Sequence, residues 1–385
     1  MIPLSVPEIR GNEWAYIKEC LDTGWVSSTG KFVDRFEQEM ARYTRAKHAV
    51  ACASGTAALH TALMLAGVRP GDEVVVPTLT FIASINVVRY VGAEPVFVDC
   101  DEYYNIDEEK TCEFLSRETT FSNNQTHNKR TGRRISAILP VHIVGNAVRL
   151  EPLLSACRER NIRVIEDAAE SLGTVYSAGR LQGRHTGTIG ELGCLSFNGN
   201  KTITTGGGGM VLTNDAALAA RAKYLTTQAK DDEERFVHHE VGYNYRLTNV
   251  QAALGVAQLE RLPEYLEVKK THRREYLTGI SEIRGLRLAP VPDYADNNCW
   301  LNVLELDASV YGEDRDQLMA RLSKSGIQTR TLWHLNHVQR PYRECQAYRI
   351  ERASELWARS LCLPSSVGLT RDQQKQVIQM LHPVA

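Results

Sequence analysis

No Cys-x-x-Cys pair occurs in the 385 residues. The nine cysteines (Cys20, Cys52, Cys100, Cys112, Cys157, Cys194, Cys299, Cys345 and Cys362) are odd in number and widely spaced, which excludes a disulfide framework and a zinc-ligand pattern. An excess of either charge is also missing: 45 Lys+Arg stand against 46 Asp+Glu, so nucleic-acid binding is not the expected business. The opening residues lack a basic stretch followed by an apolar run, so no leader is expected and reduced thiols point to the cytoplasm. One uncharged stretch, Ala49 to Val68, is long enough to suggest a membrane span. Ser54, Gly55, Thr56, His60 and Thr61 interrupt it, and it reads instead as a strand, a turn and a buried helix. With 43% hydrophobic residues, the chain has ample material for a core.

What is present is an alternation of short β-branched runs with helical stretches. Glu73–Val76, Pro95–Val98, Ile138–Val141 and Ile162–Ile165 read as strands, with helices expected over Phe81–Val91 and Leu150–Arg160. Cys194–Phe197 and Met210–Leu212 add two more strands. Such alternation implies right-handed crossovers and a largely parallel sheet buried on both faces. Beyond about residue 250 the texture changes. A helix over Val250–Leu262 is expected to end at Pro263, with a second helix over Glu264–Ile280. Strands near Leu286–Leu288 and Trp300–Leu306 follow, with helices near Asp314–Lys324 and Arg371–Leu381. The division expected is a large α/β domain over 1–250 and a smaller α+β domain over 251–385. The polar stretch Ser116–Arg134 reads as a solvated surface insertion.

Three positions carry chemistry. Ser54-Gly55-Thr56 follows an apolar run and opens a helix, so free backbone N–H groups there suit an anion; a plain helix cap is the alternative. Asp167 follows a buried run directly, where a carboxylate needs a cationic partner. Lys201, in Ser196-Phe-Asn-Gly-Asn-Lys201, follows a buried strand and precedes Gly206–Gly209. A lysine kept from water loses its charge and becomes a nucleophile toward carbonyls. A Walker A loop does not fit around Lys201, because Asn200 occupies the glycine position, and a dinucleotide fingerprint does not fit the glycine run. His334 and His337 have no third ligand at metal spacing, and His238 and His239 diverge, so no metal is expected.

In order along the chain, seven fragments resemble the DegT/StrS-type nucleotide-sugar aminotransferases, which are pyridoxal-phosphate enzymes of the aspartate-aminotransferase fold (fold type I). They are Gly24–Gly30, Ala53–Leu59 with Pro77–Phe81, Glu166–Ala169, Ser196–Lys201, Gly242–Arg246, Gln251–Gly255, and Gly326–Arg330 with Trp333-His334. The resemblance implies a Schiff base at Lys201 and Asp167 opposite the pyridinium nitrogen. It implies Phe81 on the cofactor ring, and Gly55, Thr56 and Ser196 at the phosphate. Asn244 would reach the phosphate of a neighbouring subunit, so a homodimer with shared sites follows. Glu170 stands where family members commonly have Gln, near the ring hydroxyl. His334 is the expected sugar contact, with acceptor loops over Val26–Lys31, Pro140–Gly145 and Trp333–His337. The expected reaction moves an amino group from L-glutamate to a keto nucleotide sugar. Asn198–Lys201 resembles a subgroup acting at C4 of UDP-linked 4-keto-6-deoxy-2-acetamido sugars on legionaminic-type routes. A sugar dehydratase of the same fold would carry His in place of Lys201, and a non-catalytic sensor would have no need of Lys201, Asp167 and Asn244 together.

Overall fold

The computed structural model describes residues 1–232 and 234–383. Its main sheet has eight strands in the spatial order His48–Cys52, Gly209–Thr213, Leu192–Ser196, Arg163–Asp167, Ile135–Ile138, Glu73–Pro77, Glu94–Val98 and Ala347–Tyr348. Every neighbouring pair is parallel except the two made by Gly209–Thr213, the one strand here that runs against the rest. The central strands are apolar on both faces because helices cover both, as crossover connections require. Val74, Val75 and Val76 are completely buried, and so are Val96, Phe97 and Val98.

The uncharged stretch is resolved as expected, into the strand His48–Cys52 and the helix Gly55–Leu65. Ser54 caps that helix, its Oγ accepting from the Ala57 N–H at 3.1 Å, an arrangement worth about 1 kcal/mol. Ala57 through Leu63 are all buried, which explains why the helix carries no charge.

Four expectations are corrected. The fourth parallel strand is Ile135–Ile138, not Ile138–Val141; Leu139 and Pro140 carry its hydrogen bonding forward between Val75 and Asp167. The helix expected from Phe81 begins at Ala83. Pro263 does not end a helix: Asn249–Ile280 is one element of 32 residues. An internal proline costs about 3 kcal/mol, but Leu259, Leu262, Tyr265 and Leu266 bury across it, and burying side chains of that size contributes about 1.5–3 kcal/mol each. Packing therefore outweighs the lost hydrogen bond. Finally, the polar segment 116–134 holds an antiparallel hairpin, Thr119–Ser122 with Gln125–Asn128. Its Thr126 and Asn128 are buried, and the Asn128 amide donates to Glu73 at 2.7 Å.

A second, antiparallel sheet follows the order Leu286–Leu288, Asn302–Leu306, Ser360–Leu363, Arg330–Thr331. Helices Arg315–Lys324 and Arg371–Met380 accompany it, each opened by a capping box. The long helix contributes to both cores, with Ala252 to Leu266 against the main sheet's cluster and Tyr276 and Ile280 against the smaller one. The first residues run across the second sheet's end. Ile2 exchanges backbone hydrogen bonds with Gly326 and Gln328, and Leu4 accepts from Ser365 N–H at 2.7 Å. Ser5 Oγ then donates to the Asn200 carbonyl at 3.1 Å.

All nine cysteines are free. Among the described residues, no helix is long and apolar enough to cross a membrane.

Candidate active site

The carboxyl ends of the parallel strands converge on one cleft, as open α/β sheets arrange their ligand sites. Ser54, Gly55, Thr56, Phe81, Asp167, Glu170, Ser196 and Lys201 all line it. The reversed strand brings its amino end to the same rim, so Gly207 and Gly208 join them. Gly55 is there because of space: a Cβ would stand 2.8 Å from the Ser196 Cβ. Helix entry and strand end therefore touch. The N–H groups of Gly55 and Thr56 belong to the first helical turn and have no partner within their helix.

Asp167 ends its strand and is 3% exposed. Ser84 Oγ donates to its Oδ2 at 2.6 Å and the Ala169 N–H to its Oδ1 at 3.0 Å. Burial dominates, pushing the carboxyl above the usual aspartate range despite those donors and the charge of Lys201. Its neighbour Glu166 points to the other face and behaves oppositely. Burial acts on it too, but His142 donates from Nε2 at 2.9 Å, and the N–H groups of Gly187, Ile189 and Gly190 add three further bonds. Together they hold it below the glutamate range. The Val148 N–H occupies His142 Nδ1 at 3.0 Å, which leaves the proton on Nε2.

Lys201 follows a tight turn, its N–H donating to the Asn198 carbonyl at 3.0 Å. The Nζ lies 3.8 Å from Glu170 Oε1 and 4.3 Å from the centre of the Trp300 ring. Burial lowers its pKa below the usual lysine value, and the positive Arg330 works in the same direction, while Glu170 and Asp167 oppose. Glu170 is raised to about 7, chiefly by burial, with Lys201 and the Val144 N–H (2.8 Å) acting against it. Val144 delivers that N–H from the left-handed region, φ +48°, a conformation a β-branched residue adopts only under constraint.

Two expected residues do not line the cleft of their own chain. Asn244 is exposed, accepting at 3.3 Å from Arg246, away from the cleft of its own chain. His334 is exposed and stacks on Trp357 at 4.9 Å instead of lining the cleft. Its neighbour Trp333 does line it, stacked on Trp300 at 6.3 Å. Ser84, Asn200, Trp300 and Arg330 were given no role from sequence, and Trp333 only a place in an expected acceptor loop. Ser84 had a local signal, three positions after Phe81 at a helix start. Trp300 had none, because it arrives from the second sheet about a hundred positions after Lys201.

The family model described as the DegT/DnrJ/EryC1/StrS aminotransferase family matches residues 7–382. The chain is 38% identical over 385 residues to GDP-perosamine synthase of Caulobacter vibrioides, covering 100% of this chain and 98% of that protein. Among solved structures, the aminotransferase TlmJ of Streptoalloteichus hindustanus superposes with a TM-score of 0.88 at 28% identity, covering 99% and 98% of the two chains. DesV of S. venezuelae, solved in complex with a ketimine intermediate, gives 0.84 at 29% identity, covering 97% and 95%.

Proposed function

The chain belongs to the DegT/DnrJ/EryC1/StrS aminotransferase family and is a pyridoxal 5′-phosphate-dependent sugar aminotransferase, and from that premise we propose that it moves an amino group from L-glutamate to C4 of a 4-keto-6-deoxy sugar carried on a nucleoside diphosphate. The carrier we propose is GDP. The UDP carrier and legionaminic-type route suggested by Asn198–Lys201 give way here, because the relative matched along the whole chain has GDP in its name.

Three features support the fit of the cofactor. The buried acid Asp167 has hydroxyl and amide donors but no cation in bonding contact, and a protonated ring nitrogen answers that need. The helix entry at Gly55 and Thr56, facing Ser196, offers N–H and hydroxyl groups for a phosphate. Lys201 is an amine whose burial favours the neutral, nucleophilic form. When bound, the group supplies an electron sink for the carbanion formed at the donor's α-carbon.

The chain's own residues have separable tasks. Asp167 would hold the proton on the ring nitrogen, and Ser84 fixes its carboxylate. Phe81, on the cleft lining, would cover one face of the ring. Lys201 would hold the cofactor's aldehyde through Nζ and, as a free amine, would carry a proton at that atom. A free lysine, with a pKa near 10.4, is too rarely neutral for that work, and burial corrects this. Glu170 sits beside Nζ and would face the ring hydroxyl. We further propose a homodimer in which Asn244 reaches the phosphate bound by a second copy. Exposed Trp14, Leu21, Trp25 and Val26 supply apolar surface for that contact. Unpaired thiols favour a cytoplasmic setting.

The observation that carries the reading is Lys201 beside Glu170 and Asp167 in one buried cleft. Borohydride reduction followed by digestion must tag the peptide holding Lys201; a tag elsewhere overturns it. Assaying GDP-, UDP- and dTDP-linked 4-keto and 3-keto sugars with glutamate then tests carrier and carbon.

A further inference from the structure

Two of the groups that face Lys201 Nζ, Glu170 and Trp300, are tied through their main chains to one buried side chain, that of Asn298. It is completely buried. Its amide nitrogen donates to the carbonyls of Glu170 and Leu172 at 2.9 and 3.0 Å. Its Oδ1 accepts from the Trp300 N–H at 3.0 Å. Both donor hydrogens are used and the oxygen is engaged, so the amide has one orientation only, since a flip would set oxygen against two carbonyls. The surroundings are fitted to it. A Cβ on Gly145 would fall 1.9 Å from Asn298 Oδ1. Thr174 Oγ1 accepts from the Asn298 N–H at 3.1 Å and donates to the Gly145 carbonyl at 2.8 Å. Cys299 takes a left-handed φ of +51°, which turns the chain so that Trp300 points back toward the lysine loop. There the Trp300 indole donates to the Asn200 carbonyl at 2.7 Å, and its ring lies under Lys201.

We propose that Asn298 is a positioning residue that sets the distances of Glu170 and Trp300 from Lys201, and so fixes how readily that lysine holds its proton. Asn298 does not itself line the cleft; it acts through two residues that do, Glu170 and Trp300. Loosening it lets the ring and the carboxylate move together and admits water. The charged groups facing Lys201 are Glu170, Asp167 and Arg330, and Asn298 holds the main-chain carbonyl of the first. Burial is the strongest influence on Lys201, so added water favours its charged form.

The inference rests on Lys201 carrying the cofactor. The test is the pH midpoint of the visible absorbance change of the cofactor-loaded, full-length chain. Asn298→Ala and Asn298→Ser should each move it upward by about half a unit or more, a size ordinary for altered burial. The control is Asn302→Ala, another buried asparagine, whose side-chain amide donates to Ser365; it should destabilise the fold and leave the midpoint in place. In a Glu170→Gln, Trp300→Leu background, Asn298→Ala should add no further shift. An unmoved midpoint in the Asn298 variants, or an equal movement in Asn302→Ala, overturns the proposal. Should neither Asn298 variant fold, Trp300→Phe, which keeps the asparagine bonds and drops the indole anchor, must move the midpoint, and constancy there overturns it equally. A wild-type chain that takes up cofactor but shows no lysine-linked band rejects the Lys201 reading itself, whereas a band indifferent to Asn298 rejects only this inference.

Discussion

Ser84 Oγ donates to Asp167 Oδ2 at 2.6 Å across 83 positions of chain, joining the helix after one parallel strand to the tip of another two places away in the sheet. A hydrogen bond to a charged group contributes about 1.5–3 kcal/mol. Ser84→Ala is therefore expected to weaken cofactor binding about tenfold or more while leaving the fold intact, since Ser84's hydroxyl has only this bond and a longer one to Thr80. Cofactor titration by absorbance, with thermal melting of the cofactor-free chain alongside, measures both.

Glu170 predicts a pH effect on stability. Its carboxyl titrates at about 7 in the fold and near 4.3 in an unfolded chain. Between those values the unfolded state gives up the proton first, so the group's contribution to stability is present at low pH and is lost as pH rises toward 7. Glu170→Gln should therefore melt at a higher temperature than wild type at pH 8, and the gap should narrow steadily as pH falls toward the unfolded value near 4.3. A constant gap would contradict the assignment.

Lys201→Ala should keep cofactor affinity through Asp167, Gly55, Thr56 and Ser196, and lose turnover by at least the 10²–10⁴-fold, roughly, that a positioned proton carrier provides. Substantial steady-state activity in that variant would sink the mechanism.

Gly55→Ala tests the close approach. Its Cβ would meet Ser196 Cβ at 2.8 Å, and forcing an extra carbon into a packed site costs typically about 1–3 kcal/mol. The expected result is lower thermal stability with a larger fractional loss of phosphate affinity, read by titration with inorganic phosphate and with cofactor.

The legible part of the site was the part built from strand ends. Asp167, Ser196 and Gly55 each stand directly after or at the end of an apolar run, and in a parallel sheet that position alone places a residue at the ligand edge. Lys201 was found the same way, one turn further on. Trp300 and Arg330 were silent because they reach the cleft from the second sheet's side, and Asn298 because it lies behind them; no periodicity within a short window encodes contacts made over a hundred positions. Pro263 misled for a related reason. Its local cost is real, but the buried face of Leu259, Leu262, Tyr265 and Leu266 is a tertiary property. The hairpin at 119–128 was hidden by polar strands whose buried members, Thr126 and Asn128, are themselves polar.

The course of the first few residues has a practical side. Met1 is almost fully solvent-facing, so extra residues fused ahead of it extend outward and disturb nothing. Trimming is another matter. Removing residues 1–6 deletes no cleft-lining group, yet it takes away the hydroxyl of Ser5 from the very carbonyl, Asn200 O, that also anchors the Trp300 indole. An expression version should thus be lengthened, never shortened, at that end.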